Sequence, residues 1–277
     1  MPAPSTPTAV RPTATPATLP AAARVADRAV MALAVVLGGG SMVYFAWAVR
    51  PKLLDMGLSP GAALWWNALL SLVFFTQHSV MVRRPVRARL AAVVAPRYDG
   101  AFYAITSGLA LTLVAALLQP AGPPLFVLQG LARTIVIAAV LLALAGLAWA
   151  VVALRTFDPF GLRPIRSHLR NRPAESDPGG PFRAKAFVVR GPYRWVRHPL
   201  YSAIIVLLWA DPAMNPARLE LAILWTAWIY VGAQLEEHDL VAEFGDAYRR
   251  YRERVPMLIP WRRPAGAEGS CRSSAEN

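Results

Sequence analysis

The sequence predicts an all-α fold, a polytopic transmembrane helical bundle. Three observations carry that expectation: the apolar content, uncharged runs of span length, and the placement of the basic residues. Of 277 residues, 56% are hydrophobic, above the roughly 45–50% of an ordinary soluble domain. A bilayer core about 30 Å thick needs about 20 helical residues at about 1.5 Å each. Residues 29–49 and 62–82 supply 21 each without Lys, Arg, Asp or Glu. Residues 101–118 are equally uncharged, and 134–154 are nearly all Ala, Leu, Val and Ile. Residues 199–210 and 221–235 follow, with only 211–220 between them, and read as a helical hairpin. The expected architecture is four spans, this C-terminal hairpin and an interfacial amphipathic helix.

The formal charge of +13 is a matter of topology rather than of nucleic acid binding. Arg83, Arg84, Arg87, Arg89 and Arg97 stand between the second and third spans against one acid, Asp99. Ten basic residues from Arg155 to Arg197 face three acids between the fourth span and the hairpin. Residues 119–131 carry no charge. Basic residues thus occupy every second loop, as the positive-inside rule requires, and place both termini in the cytoplasm. Arg50 and Lys52, between the first and second spans, fall on the other side. The membrane of a bacterial cell, with lipid headgroups as partners of the basic loops, is the expected location. Nothing fixes an oligomeric state.

Cys271 is the only cysteine, so neither an intrachain disulfide nor a multi-thiolate metal site is available. Residues 1–28, rich in Ala, Pro and Thr, and residues 262–277 read as disordered tails. Residues 29–261 read as one membrane-embedded domain.

Four features stand above a generic bundle. The run from Arg190 through Gly191, Pro192, Tyr193, Arg194, Trp195, Val196, Arg197, His198, Pro199 and Leu200 to Tyr201 joins a Gly-Pro turn to a proline suited to the first position of a helix. Arg197 and His198 then lie at a helix N-terminus, where unsatisfied amides and the helix dipole favour an anion. His198 can accept or donate a proton, and Tyr193, Trp195 and Tyr201 offer aromatic faces to a cation. An aromatic and basic interface belt accounts for the same composition.

The second feature is Glu236 and Glu237, followed by His238 and Asp239, directly after the last apolar run. Adjacent carboxylates at a membrane boundary need partners, and Arg194 or Arg197 can supply them. The third is Leu240, Phe244, Tyr248, Tyr251 and Val255, an apolar stripe at helical spacing, expected on one surface helix that caps the site. The fourth is Gln77, His78 and Ser79 near the end of the second span, lining a pocket or bonding between helices. Gly38, Gly39 and Gly40 lie mid-span and suggest close helix packing. No GxGxxG after a strand, P-loop, HExxH or other metal-ligand pattern is present.

The spacing of Tyr193, Arg197, His198, Pro199 and Tyr201, then Glu236 and Glu237, then Phe244, Gly245, Tyr248, Tyr251, Val255 and Pro256 resembles the C-terminal signature of the integral-membrane methyltransferases. That superfamily includes the isoprenylcysteine carboxyl methyltransferases and phospholipid N-methyltransferases. The run from Gln77 to Met81, that from Phe157 to Arg163, and that from Trp209 to Pro212 are similar to the methanethiol S-methyltransferase and NnrU-like branch. The resemblance covers about residues 65–260. Residues 170–186 are longer than the compact link of that branch, and 188–193 look more like the isoprenylcysteine type.

The resemblance implies S-adenosylmethionine as methyl donor, held by the half of the domain from about residue 187 to 261. Gly191, Tyr193, Arg197, His198, Pro199 and Tyr201 would shape its pocket, with Glu236 and Glu237 closing it. It also implies S-methylation of a small thiol such as methanethiol or hydrogen sulfide, or of an apolar acceptor. The reaction is a direct displacement that needs alignment and exclusion of water, with no metal. A thiol reacts as thiolate, and His198 or His78 can serve as base. Other readings are an isoprenylcysteine-type or lipid acceptor, an NADPH-dependent membrane reductase, and a non-catalytic membrane protein.

Overall fold

The computed structural model describes residues 20–48, 54–154, 158–170 and 189–264, and every regular element among them is helical. The Arg50–Lys52 exception, Phe157, most of residues 170–186, and Cys271 lie outside these described residues. The first crossing is one continuous helix. It comprises α1 (Ala21–Leu33), a π-helical turn at Ala34–Gly39 and α2 (Gly40–Ala48). Its start corrects the expected tail boundary at residue 28. Ala21, Ala22 and Ala23 are strong helix formers, and the burial of Asp27 against other elements fixes the added turns.

After it come α3 (Pro60–Val82), the short α4 (Arg84–Leu90), α5 (Asp99–Leu117) and α6 (Gly130–Ala153). Ser59 caps α3 through its side chain, ahead of Pro60 at the first helical position. This is the N-terminal chemistry that leaves no orphan amide where proline stands. The 21-residue apolar runs therefore appear as helices within four residues of their expected bounds, apart from the longer first one. The first crossing (Ala21–Phe45), the α5 crossing (Pro96–Leu117) and α6 are long and apolar enough to cross a membrane. At 23 residues α3 is also long enough. Its polar residues turn inward: Asn67 and Ser71 are each 1% exposed.

The polypeptide then forms α7 (Leu162–Leu169), a 3-10 turn at Gly191–Arg194, and α8 (Pro199–Trp209). It ends in α9 (Pro216–Phe244) and α10 (Asp246–Arg254). In space the first crossing packs on α5, α5 on α3, α3 on α9, α9 on α8, and α8 on α6. The core sits where α3, α5 and α9 meet, with Phe74, Phe75, Leu111, Val114, Leu221 and Trp225 in one cluster. By contrast α6 is apolar on nearly every face yet buries only Ala143 and Ala150, as expected of a helix in lipid.

The hairpin differs from expectation in length. Its second helix begins at Pro216 rather than residue 221, capped by the Asn215 side chain. With 11 residues α8 is only about 17 Å long at about 1.5 Å per residue. Non-helical residues 210–215 continue it, and the loop before α6 bonds two of their carbonyls. Leu125 N–H donates to Met214 O at 2.8 Å and Leu128 N–H to Pro212 O at 2.7 Å. Asp211, 6% exposed, pairs with Arg218 across the turn. Irregular backbone is tolerated in a membrane protein where protein covers it in this way.

Close approach accounts for Gly38 and Gly39 of the first crossing, whereas a Cβ on Gly40 would meet nothing. A Cβ on Gly108 of α5 would meet the carbonyl oxygen of Leu37 at 2.2 Å, so only glycine lets α5 lie against the π-turn. Gly38 faces Phe160 and Ala104.

Ala63 and Ala217 pack together in one cluster, so α3 and α9 start at the same end and run parallel. Their far ends therefore share the other side with the arginines after α3. Gly191 abuts Ala153 at the end of α6, which brings the second basic stretch there too. Among the described residues, the basic side chains after α3 and those of Arg190, Arg194 and Arg197 gather at one end of the bundle.

Candidate active site

The expected surface helix over 240–255 is two helices. Phe244 ends α9, Gly245 takes φ +55, and Asp246 starts α10. With ψ −130 this is a backbone conformation that glycine adopts without strain and other residues avoid. The turn folds α10 back onto the bundle, so the stripe is buried against protein. Tyr248 is 2%, Tyr251 8% and Val255 1% exposed, packed with Val189, Leu240, Val241 and Phe244. Burial pushes the Tyr193, Tyr248 and Tyr251 hydroxyls above their ordinary values, so they act as hydrogen-bond donors. Tyr251 does so, its hydroxyl reaching Tyr193 O at 2.6 Å.

The segment after α10 closes over the start of α8. Arg197 N–H donates to Pro256 O at 2.9 Å and His198 N–H to Met257 O at 3.1 Å. The Ser202 hydroxyl donates to Leu258 O at 2.7 Å. Pro199 is buried at the first position of α8, as expected.

Beneath this clasp lies Glu237, 1% exposed. Arg197 Nε donates to its Oε1 at 2.5 Å, and His198 Nε2 stands 3.2 Å from the same oxygen. Arg252 Nε reaches Oε2 at 3.0 Å as an ion pair, without the alignment of a hydrogen bond. Burial alone would raise the Glu237 pKa. Hydrogen bonds from His198 and Arg197, with the charge of both, outweigh it and hold the carboxyl below its ordinary value of 4.5. Arg197 also donates through Nη1 to Arg252 O at 2.9 Å and Val255 O at 2.5 Å. The expected anion site at Arg197 is thus filled from within: the carboxylate it holds is Glu237.

Adjacent helical residues point about 100° apart, and Glu236 accordingly faces elsewhere. Its side chain is 43% exposed, and its Oε2 accepts the Tyr201 hydroxyl at 2.8 Å. His198 Nδ1 is 3.7 Å from the same oxygen. The His198 and Tyr201 rings, three residues apart on the first turn of α8, stack at 5.3 Å with planes 8° apart. One histidine therefore spans two carboxylates, a buried one at Nε2 and an accessible one at Nδ1. Trp195 is 45% exposed at this rim. His238 and Asp239 point outward.

His78 stands apart, on α3. The Tyr103 hydroxyl lies 2.9 Å from its Nε2, and its ring stacks on Phe74 at 5.3 Å.

Two participants were not picked out from the sequence. Arg252, which the sequence pattern sets off the apolar stripe, pairs with Glu237 while its side chain stays 42% exposed. The other is Asp27, wholly buried on α1. Tyr98 donates to its Oδ1 at 2.5 Å, His168 Nδ1 lies 2.7 Å from its Oδ2, and Arg97 Nε is 3.5 Å from Oδ1. The signal was that Asp27 is the sole acid in the first 54 residues.

The chain is similar in sequence to known proteins. The chain is 35% identical over 222 residues to methanethiol S-methyltransferase 1 of Bradyrhizobium diazoefficiens, covering 78% of this chain and 74% of that one. It is 35% identical over 247 residues to methanethiol S-methyltransferase 2 of the same organism, covering 84% and 90%. The methanethiol S-methyltransferase of Mycobacterium tuberculosis is 32% identical over 247 residues, covering 83% and 96%. No solved structure matches. Residues 68–240 match the NnrU protein family, a stretch that includes His78, His198, Tyr201, Glu236 and Glu237, and the chain belongs to that family.

Proposed function

We propose that this protein is an S-adenosylmethionine-dependent membrane methyltransferase that S-methylates a small thiol, of the methanethiol or hydrogen sulfide class. One observation carries the reading. Glu236, Tyr201 and His198 form an accessible, pre-organised polar group within the stretch of a chain about 35% identical to named methanethiol S-methyltransferases.

The residues present suit an S-adenosyl group. The half-exposed carboxylate of Glu236 can accept hydrogen bonds from a ribose diol. Tyr193, Trp195 and Tyr201 present aromatic faces to a sulfonium. First-turn amides of α8 can receive a carboxylate. When bound, the donor supplies an electrophilic methyl group. Glu237 and Arg197 do not reach outward; they hold His198 and the start of α8 in position, with Arg252 paired to Glu237 from the rim. Gly191 and Pro199 shape the backbone around them. His198 and His78 are the two side chains able to take the thiol proton.

We further propose that the end bearing the basic loops faces the cytoplasm of a bacterial inner membrane, so that the donor reaches Glu236 from the aqueous side.

The test presents membranes containing the protein with labelled S-adenosylmethionine and, in parallel, methanethiol, hydrogen sulfide, a prenylcysteine analogue and phosphatidylethanolamine. Label in a volatile thioether or in methanethiol supports the proposal. Label only in the prenyl or lipid product replaces the acceptor, and no transfer at all removes the activity.

A further inference from the structure

We propose that the groove between the first crossing and α7 binds an anionic phospholipid of the phosphatidylglycerol class. Its phosphate is held between Arg28 and Arg166, and an acyl chain lies along Val35 and Val36. The site is separate from the methyl-transfer groups and independent of that reading. Arg28 and Arg166 stand with Met31, Val35, Val36 and Leu162 around an open groove of about 340 Å³.

The groove changes character along its length. Arg28 directly precedes the uncharged run of residues 29–49, which at about 1.5 Å per residue is long enough to cross the hydrocarbon core. Arg28 therefore stands at the level of lipid headgroups. Val35 and Val36 lie about two helical turns further on, at the level of acyl chains. They are 43% and 65% exposed, so this apolar wall is left open to lipid.

The side formed by α7 is held in place. Ile165, wholly buried, and Leu162 pack onto Ala34, Ala101 and Ala104, with Met31 against the same cluster. A Cβ on Gly161 would meet the Ala101 nitrogen at 2.4 Å, so α7 starts in direct contact with α5. Towards its other end, His168 is tied to Asp27 at 2.7 Å. Arg166 is turned about 100° from the buried Ile165 and is exposed.

The charge at the mouth has no internal counterion. Asp27 beside Arg28 is engaged on both oxygens, by Tyr98 and by His168. Asp158 accepts the Leu162 and Arg163 N–H groups at 2.9 and 2.7 Å. Among the described residues no acid pairs with Arg28 or Arg166. Two like charges on one groove repel unless an anion lies between them, and a phosphate can accept from two guanidinium groups at once. A free phosphate would use the mouth alone. The exposed valine wall adds apolar contact that only a lipid supplies, and basic pockets between helices at a membrane surface suit anionic headgroups.

Native mass spectrometry of the full-length protein in detergent tests this. The protein is titrated in parallel with dioleoyl phosphatidylglycerol, dioleoyl phosphatidylcholine and glycerol 3-phosphate. Wild type should retain phosphatidylglycerol in preference to the other two. Arg28→Gln combined with Arg166→Gln should weaken that binding on the order of tenfold. Arg89→Gln combined with Arg250→Gln removes the same charge from exposed positions outside the groove and should bind as wild type does. Equal weakening by the two pairs, or full retention in the groove pair, overturns the site. Glycerol 3-phosphate binding as tightly as the lipid would show an anion site without a lipid and overturn the proposed occupant. A measurement on wild type alone decides the matter if the groove pair does not fold. Phosphatidylglycerol should raise the thermal unfolding temperature and phosphatidylcholine should not, and equal shifts by both lipids overturn the site.

Discussion

Arg197 Nε and Glu237 Oε1 meet at 2.5 Å although 40 residues separate them, tying the start of α8 to the far end of α9. The pair is almost dry, with side chains 10% and 1% exposed. Breaking such a pair by removing one partner costs about 3–5 kcal/mol, because the other charge stays buried. Arg197→Ala is therefore expected to lower the thermal unfolding temperature of the detergent-solubilised protein sharply. Glu236→Gln, next door, should leave that temperature within a degree or two and weaken S-adenosylmethionine binding. Equal thermal losses in the two variants would contradict the division between a positioning and a contacting carboxylate.

The same pair sets an acid limit. The Glu237 carboxyl titrates below 4.5 in the folded protein. A depressed carboxyl contributes stability that is complete above the unfolded value and is lost as pH falls through the folded one. Thermal stability attributable to Glu237 should thus be flat from pH 7 to about 5.5 and fall below about 4.5. Glu237→Gln should be less stable above about pH 5.5, lack that fall, and converge with wild type at lower pH. A wild-type loss centred near pH 6 would assign the transition to another group.

Much of this was legible from the residues. The spans follow from uncharged runs, and the meeting of His198 with the two glutamates follows from a hairpin that returns the chain to one end of the bundle. Two contacts were not. That Arg197 faces inward rather than towards a ligand depends on the Gly245 turn, which brings the Arg252 and Val255 carbonyls over it. Spacing predicts the stripe on α10 but not the direction in which a glycine redirects it. Asp27 escaped because a lone acid in an Ala- and Pro-rich stretch carries no periodic signal. Its partners, Tyr98 and His168, are 71 and 141 residues away.

Asp27 joins α1 to the turn before α5 and to α7. Asp27→Asn keeps the shape but removes the charge facing His168 and Arg97, which are themselves partly exposed, so the loss is expected at about 1–3 kcal/mol. The measurement is thermal unfolding of the full chain, together with protease susceptibility around residues 158–170. Because Asp27 lies outside the methyl-transfer groups, the thiol KM should stay near wild type. A large KM change would bring the Asp27 cluster into the reaction.

The side of the membrane on which the site opens can be read from two exposed positions at opposite ends of the bundle. Val93, 82% exposed, follows α4 among the basic residues, and Leu125, 56% exposed, lies in the uncharged loop before α6. Basic segments resist translocation, whereas an uncharged loop does not. In a Cys271→Ser background, Val93→Cys should be protected from an impermeant thiol reagent in intact cells and labelled after lysis. Leu125→Cys should label without lysis. The reverse pattern would put Glu236 and the start of α8 outside the cell, where a cytoplasmic methyl donor could not reach them, and would remove the proposed activity along with the orientation. Labelling of both from one side would show that the α5 crossing does not span.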